Sequence, residues 1–96
     1  MKITITEPAL KWFEEEMDIE KGEFIRFFAR YGGDSSVQQG FSLGVTKESP
    51  KEAAATLDVN GYTFFIESDD LWYFDNHDLH VKYSRKTNSI TYDYQQ

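Results

Sequence analysis

The run Phe24-Ile25-Arg26-Phe27-Phe28-Ala29-Arg30-Tyr31 constrains the fold of this chain more than any other stretch. Read with a period of two, Ile25, Phe27, Ala29 and Tyr31 share one side, and Phe24, Arg26, Phe28 and Arg30 share the other. Both sides are partly apolar, so the segment Glu23–Tyr31 is expected to be a central strand, with Arg26 and Arg30 reaching out past their neighbours. A central strand demands partners on each side, and the rest of the chain supplies them.

Ile3 and Ile5 alternate with Thr4 and Thr6 in a short opening strand. Thr6 then suits an N-cap, with Glu7 and Pro8 in the first helical turn, where a missing N–H does no harm. Leu10, Phe13 and Met17 make one apolar stripe, which predicts a helix over Pro8–Met17. After the polar break Gly32-Gly33-Asp34-Ser35-Ser36, read as a loop, Phe41, Leu43 and Val45 alternate again. Thr46–Glu52, with Pro50, reads as a connector. Asn60-Gly61 between Thr56–Val59 and Tyr62–Ile66 is the signal for a hairpin with a type I′ turn. Ser68-Asp69-Asp70 opens a short helix carrying Leu71, Trp72 and Phe74, with Ser68 as its cap. Leu79, Val81 and Tyr83, then Ile90, Tyr92 and Tyr94, alternate on either side of a turn at Lys86-Thr87-Asn88. The sum is a β-rich α+β fold of about seven short strands, one real helix and one short helix, in a single domain over residues 1–96.

Composition narrows the function classes. Eight Phe, six Tyr and two Trp give a short chain large buried areas per residue. The net charge of −7 is spread along the chain without a basic patch, which argues against nucleic acid and against an anionic membrane surface. No apolar run reaches membrane-spanning length and Met1–Thr6 lacks a signal-peptide core, so a cytosolic protein is expected. The chain has no cysteine, and therefore no disulfide, thiolate ligand or cysteine nucleophile of its own.

Four motifs bear on chemistry. Gly40-Phe41-Ser42-Leu43-Gly44 has the spacing of a nucleophile elbow, but that elbow needs a helix after the serine, and here a strand continues. Ser42 is therefore read as a solvent-facing strand residue. His77 and His80 could join a carboxylate in holding zinc or iron, although i and i+3 face apart if the segment is a strand. Glu67, Asp69, Asp70, Asp75 and Asp78 surround Leu71-Trp72-Tyr73-Phe74. This cluster does not have calcium-loop spacing and reads as a solvated face or as a docking surface with aromatic anchors. Gly32-Gly33 has the makings of an anion nest, which Asp34 would oppose.

The order of these elements, with the opening Ile-Thr-Ile-Thr-x-Pro-Ala-Leu, a strong strand ending at Arg30, Gly-Gly-x-Ser, the Asn60-Gly61 hairpin and the Asp-Leu helix near Asp69–Phe74, resembles the HesB/IscA family, the A-type proteins of iron–sulfur cluster biogenesis. The resemblance covers residues 1–94. It implies a pseudo-barrel of small mixed β-sheets with the N-terminal helix alongside. It also implies three cysteine ligands, one in a Gly-Cys-Ser/Gly loop and two in a C-terminal Cys-x-Cys. Here Asp34 stands at the first position, and Tyr94-Gln95-Gln96 offers no counterpart to the second. A lone carboxylate cannot replace thiolates around an iron–sulfur cluster. The chain is therefore similar to the cysteine-less HesB-like branch.

Three functions are in contention. The first is a non-enzymatic protein-interaction or accessory factor related to iron–sulfur cluster biogenesis, with a protein partner, no cofactor and a homo-oligomer as one option. The second is a metal-binding protein using Asp34 with His77 or His80 to hold iron or zinc. The third, a small hydrolase using Ser42, is the weakest.

Overall fold

The computed structural model describes every residue from Met1 to Gln96. Strand β1 (Ile3–Ile5) leads into helix α1 (Glu7–Glu16), and β2 (Phe24–Asp34), β3 (Gln39–Lys47), β4 (Ala53–Val59) and β5 (Tyr62–Glu67) follow. A 3-10 turn over Ser68–Asp70 runs into the short helix α2 (Leu71–Phe74), and β6 (Asp78–Ser84) and β7 (Ser89–Gln95) complete the chain. The seven strands make two mixed sheets, in the orders β1-β6-β7 and β3-β2-β5-β4, and no closed barrel. This is the β-rich α+β pseudo-barrel that the sequence predicts.

Local chemistry sets the element boundaries. Thr6 is extended (φ −71°, ψ 157°) and its hydroxyl accepts the Ala9 N–H at 3.4 Å, which satisfies one of the free donors at the start of α1. The Met17 N–H closes the last turn on the Phe13 carbonyl at 3.0 Å. Ala9, Leu10 and Phe13 are the buried positions of the helix, and the Phe13 ring meets Phe27 and Phe64 edge-on. Asn60 and Gly61 both have positive φ, 52° and 88°, as a type I′ turn between β4 and β5 requires.

Strand β2 is central, antiparallel to β3 and parallel to β5. Its core side departs from the simple alternation. Ile25 and Phe27 are fully buried, whereas Tyr31, on the same parity, is 86% exposed. The cause is the length of β5, whose pairing to β2 covers only Phe24 to Phe27, so β2 runs on past the core. The strand also continues through Gly32-Gly33-Asp34, where the sequence predicts a loop. A bulge between Tyr31 and Asp34 absorbs both glycines at positive φ, and the true loop is Ser35–Gln38. β3 likewise extends to Lys47, leaving a shorter connector than predicted.

The core fills the space between the sheets with Ile3, Leu79 and Val81 from one side and Ile25, Phe27, Phe64 and Ile66 from the other. Tyr92 of β7 reaches Phe27 of β2 edge-on, so aromatic contact links the two sheets directly.

Candidate functional site

Two features meet at the end of the β2–β3 hairpin: a groove beside Asp34 and an exposed aromatic surface. The hairpin tip is tightly pinned. The Asp34 carboxylate accepts the Gly40 N–H at 2.7 Å. The Ser35 N–H donates to the Gln38 carbonyl at 3.1 Å, and the Ser35 hydroxyl accepts the Gln38 N–H at 3.1 Å. Asp34 is thus fixed as the acceptor that closes the bulge.

Behind the tip lies an open groove of about 350 Å³, walled by Asp34, Ser35, Ser36, Ser42 and Leu43 on one side and by Ile90, Thr91, Tyr92 and Tyr94 of β7 on the other. Ser42 was expected to face solvent, and it does not. Its hydroxyl oxygen is buried without a hydrogen-bond partner, with Gly33 close by. A strand continues on both sides of Ser42 in β3, so the nucleophile-elbow geometry is not formed. The tyrosines beside the groove are held neutral. The Tyr73 and Tyr94 hydroxyls bond to each other at 2.8 Å. Burial, with Tyr73 beside it, pushes Tyr92 up to about 12. Burial and the Tyr73 hydrogen bond raise Tyr94 further still.

The aromatic surface starts at Tyr31. Its ring meets Phe41 edge-on at 5.7 Å, and Phe41 meets Trp72 of α2 at 5.0 Å. Trp72 is 50% exposed, and Leu71 beside it is also exposed. This aromatic strip, exposed at Tyr31 and Trp72 and half-buried at Phe41, has the composition of a protein-docking site. Its placement depends on α2, which is held over β2 by one ion-pair network. Arg26 donates to Asp70 at 2.7 Å and to Glu48 at 2.8 Å, while the other Asp70 oxygen accepts the Ala29 N–H at 3.4 Å. Burial alone would lower the Arg26 pKa, but Asp70 and Glu48 outweigh it and hold the guanidinium charged.

The acidic run around α2 is only partly a solvated face, with Asp69 and Asp75 exposed and the other three carboxylates bonded. Glu67 is buried and accepts the N–H groups of Lys51 and Glu52 at 2.9 and 3.2 Å, Asp70 is buried against Arg26, and Asp78 accepts the Lys2 N–H at 2.8 Å. Ser68 does not cap the helix; its hydroxyl donates to the Glu52 carbonyl at 3.1 Å.

The residues considered for metal lie apart in their bonding. Asp34 serves Gly40, the His77 ring nitrogen Nδ1 faces the Phe74 and Asp75 carbonyls at 2.9 and 2.8 Å, and the His80 Nδ1 pairs with the Thr4 hydroxyl. Nowhere do three or more His, Asp or Glu side chains come together as a set that could hold a metal ion. Sequence reasoning missed Tyr31 as a surface residue, because it follows the alternation of a buried strand and the short reach of β5 leaves it uncovered.

The profile of the family described as iron-sulphur cluster biosynthesis matches residues 1–95. The chain belongs to this family. A protein of Bacillus subtilis (strain 168) named pyruvate dehydrogenase inhibitor is 57% identical over 95 residues, covering 99% of this chain and 100% of that protein. An uncharacterised protein of Staphylococcus saprophyticus is 34% identical over 95 residues, covering 96% of this chain and 97% of its own length. No solved structure matches the chain. The donor set does not fit an iron–sulfur cluster: there is no thiolate, and the carboxylate at the loop position is already bonded to the backbone. No helix is long and apolar enough to cross a membrane.

Proposed function

We propose that this chain is a non-enzymatic cytosolic binding protein that inhibits pyruvate dehydrogenase, docking through the Tyr31–Phe41–Trp72 surface and carrying no iron–sulfur cluster. One observation carries the reading: the end-to-end identity of 57% with a protein named for that inhibition. The exposed aromatic strip supports it, since large rigid side chains at low entropic cost make good protein anchors. An accessory role in iron–sulfur assembly has only the family membership behind it. The arrangement of Asp34 with His77 or His80 around a metal has no supporting geometry.

Adding the purified chain to pyruvate dehydrogenase from the same cells tests this. Activity falls in a saturable way and a chelator does not restore it. Trp72→Ala and Tyr31→Ala each raise the half-inhibitory concentration by roughly tenfold, the usual scale for an aromatic anchor. No inhibition at large molar excess removes the target. Inhibition of full strength in both variants removes the surface.

A further inference from the structure

The hydrogen-bond pattern assigns the free edges of the two sheets. The Glu48 N–H donates to Phe24 and the Gly40 N–H to Asp34, so even-numbered residues of β3 turn their backbone groups toward β2. Alternation then turns those of Phe41, Leu43 and Val45 outward. In the other sheet, the Leu79 N–H donates to Lys2 and the Val81 carbonyl accepts from Thr6, so odd-numbered residues of β6 face β1. Even-numbered β6 residues therefore face β7, where His80 pairs with Asp93 and Lys82 with Thr91. That leaves Ile90, Tyr92 and Tyr94 with outward-facing backbone groups. β3 and β7 are the terminal strands of their sheets, and both wall the one groove beside Asp34. Leu43, Ile90, Tyr92 and Tyr94 all line it.

Natural sheets guard free edges with lysine, proline or a covering element. β7 has no proline or lysine, and its single charge, Asp93, is tied to Lys82 of β6. β3 has no charge before Lys47. Two unguarded edges thus border one open groove, a seam between the two sheets.

We propose that this seam takes an extended segment of a partner protein, which adds to β7 through the backbone of Ile90, Tyr92 and Tyr94 and places a lysine or arginine against Asp34. An extended backbone is the ligand that satisfies alternate N–H and C=O groups along an edge. The sign of the charge follows from the walls. Asp34 is the only ionised group lining the groove, and the whole chain carries −7. The same charge disfavours a second copy as the occupant. This inference stands apart from the pyruvate dehydrogenase reading and from the Tyr31–Trp72 surface.

The probe is a capped seven-residue peptide alternating valine and threonine, with a lysine at each end, titrated into the nitrogen-15-labelled chain. The amides of Ile90, Tyr92 and Tyr94 shift and gain protection from hydrogen exchange, while those of Thr91 and Asp93, already bonded to β6, change little. A central proline in the peptide abolishes binding. Asp34→Asn, which keeps the acceptor for Gly40, weakens the lysine peptide by roughly tenfold and leaves an uncharged version unaffected. Shifts centred on Tyr31 and Trp72, or no shifts at millimolar peptide, overturn the proposal. So do β7 amides already protected in the free chain as it dimerises by light scattering, which would make a second copy the occupant.

Discussion

At the residue scale, the buried carboxylates carry the architecture. Glu67 precedes the 3-10 turn and Asp70 ends it, one taking two backbone N–H groups of the β3–β4 connector and the other taking Arg26 and the Ala29 N–H. Removing the Asp70 carboxylate leaves a partly buried guanidinium and a backbone donor short of partners. Asp70→Ala should therefore cost about 2 kcal/mol in urea denaturation, with Asp70→Asn costing less because the amide still offers an acceptor. Phe28 shows the opposite kind of constraint. Its ring lies over Gly44 on the neighbouring strand, so closely that a Cβ at Gly44 would fall 2.5 Å from it, and Arg26 sits over its face at 5.6 Å. The second glycine of Gly-x-Ser-x-Gly is thus a packing residue and has no part in a nucleophile site.

At the element scale, the β4–β5 hairpin is the most locally determined piece. Gly61 has φ +88°, a conformation that L side chains rarely adopt. Gly61→Ala should lower stability by about 1 kcal/mol, read as an earlier midpoint in denaturant at an unchanged slope. This element, the Thr6-capped helix and the alternating strands were legible because turn chemistry, capping and periodicity act over a few residues. The end of β2 was not legible. Gly32 and Gly33 look like a loop in sequence, and they form a bulged strand only because Gln39 comes back to pair with Asp34. The site suffered the same limit. Asp34 was legible as a polar residue at a turn, but its bond to Gly40 and the burial of the Ser42 hydroxyl depend on how β3 returns.

At the scale of the whole molecule, the two sheets are joined by an aromatic interior rich in tyrosine. Tyr62, buried and bonded to Glu14, is pushed up to about 12, as is Tyr92. A tyrosine whose folded pKa lies above its ordinary value of 10.0 stabilises the fold fully below that value and loses the contribution as pH rises through the folded pKa. Stability should therefore fall between pH 10 and about 12. The tyrosinate absorbance of Tyr62, Tyr92 and Tyr94 should rise with the loss of near-ultraviolet circular dichroism, not before it. Ionisation of all six tyrosines on an intact fold would contradict this burial.

The sequence by itself determined the element order, the β-rich class, the family and the exclusion of thiolate chemistry, because these depend on residue type and local spacing. Only the tertiary structure decided which polar groups were spent internally. Glu67, Asp70 and Asp78 of the acidic run around α2 became structural acceptors while Asp69 and Asp75 stayed exposed, the Ser42 hydroxyl was buried, and His77 and His80 went to separate backbone and side-chain partners. The tertiary structure also exposed Tyr31 and Trp72 and opened the seam between β3 and β7. Each of these outcomes depends on pairing between segments distant in the chain, where the length of one strand sets what its neighbour leaves uncovered.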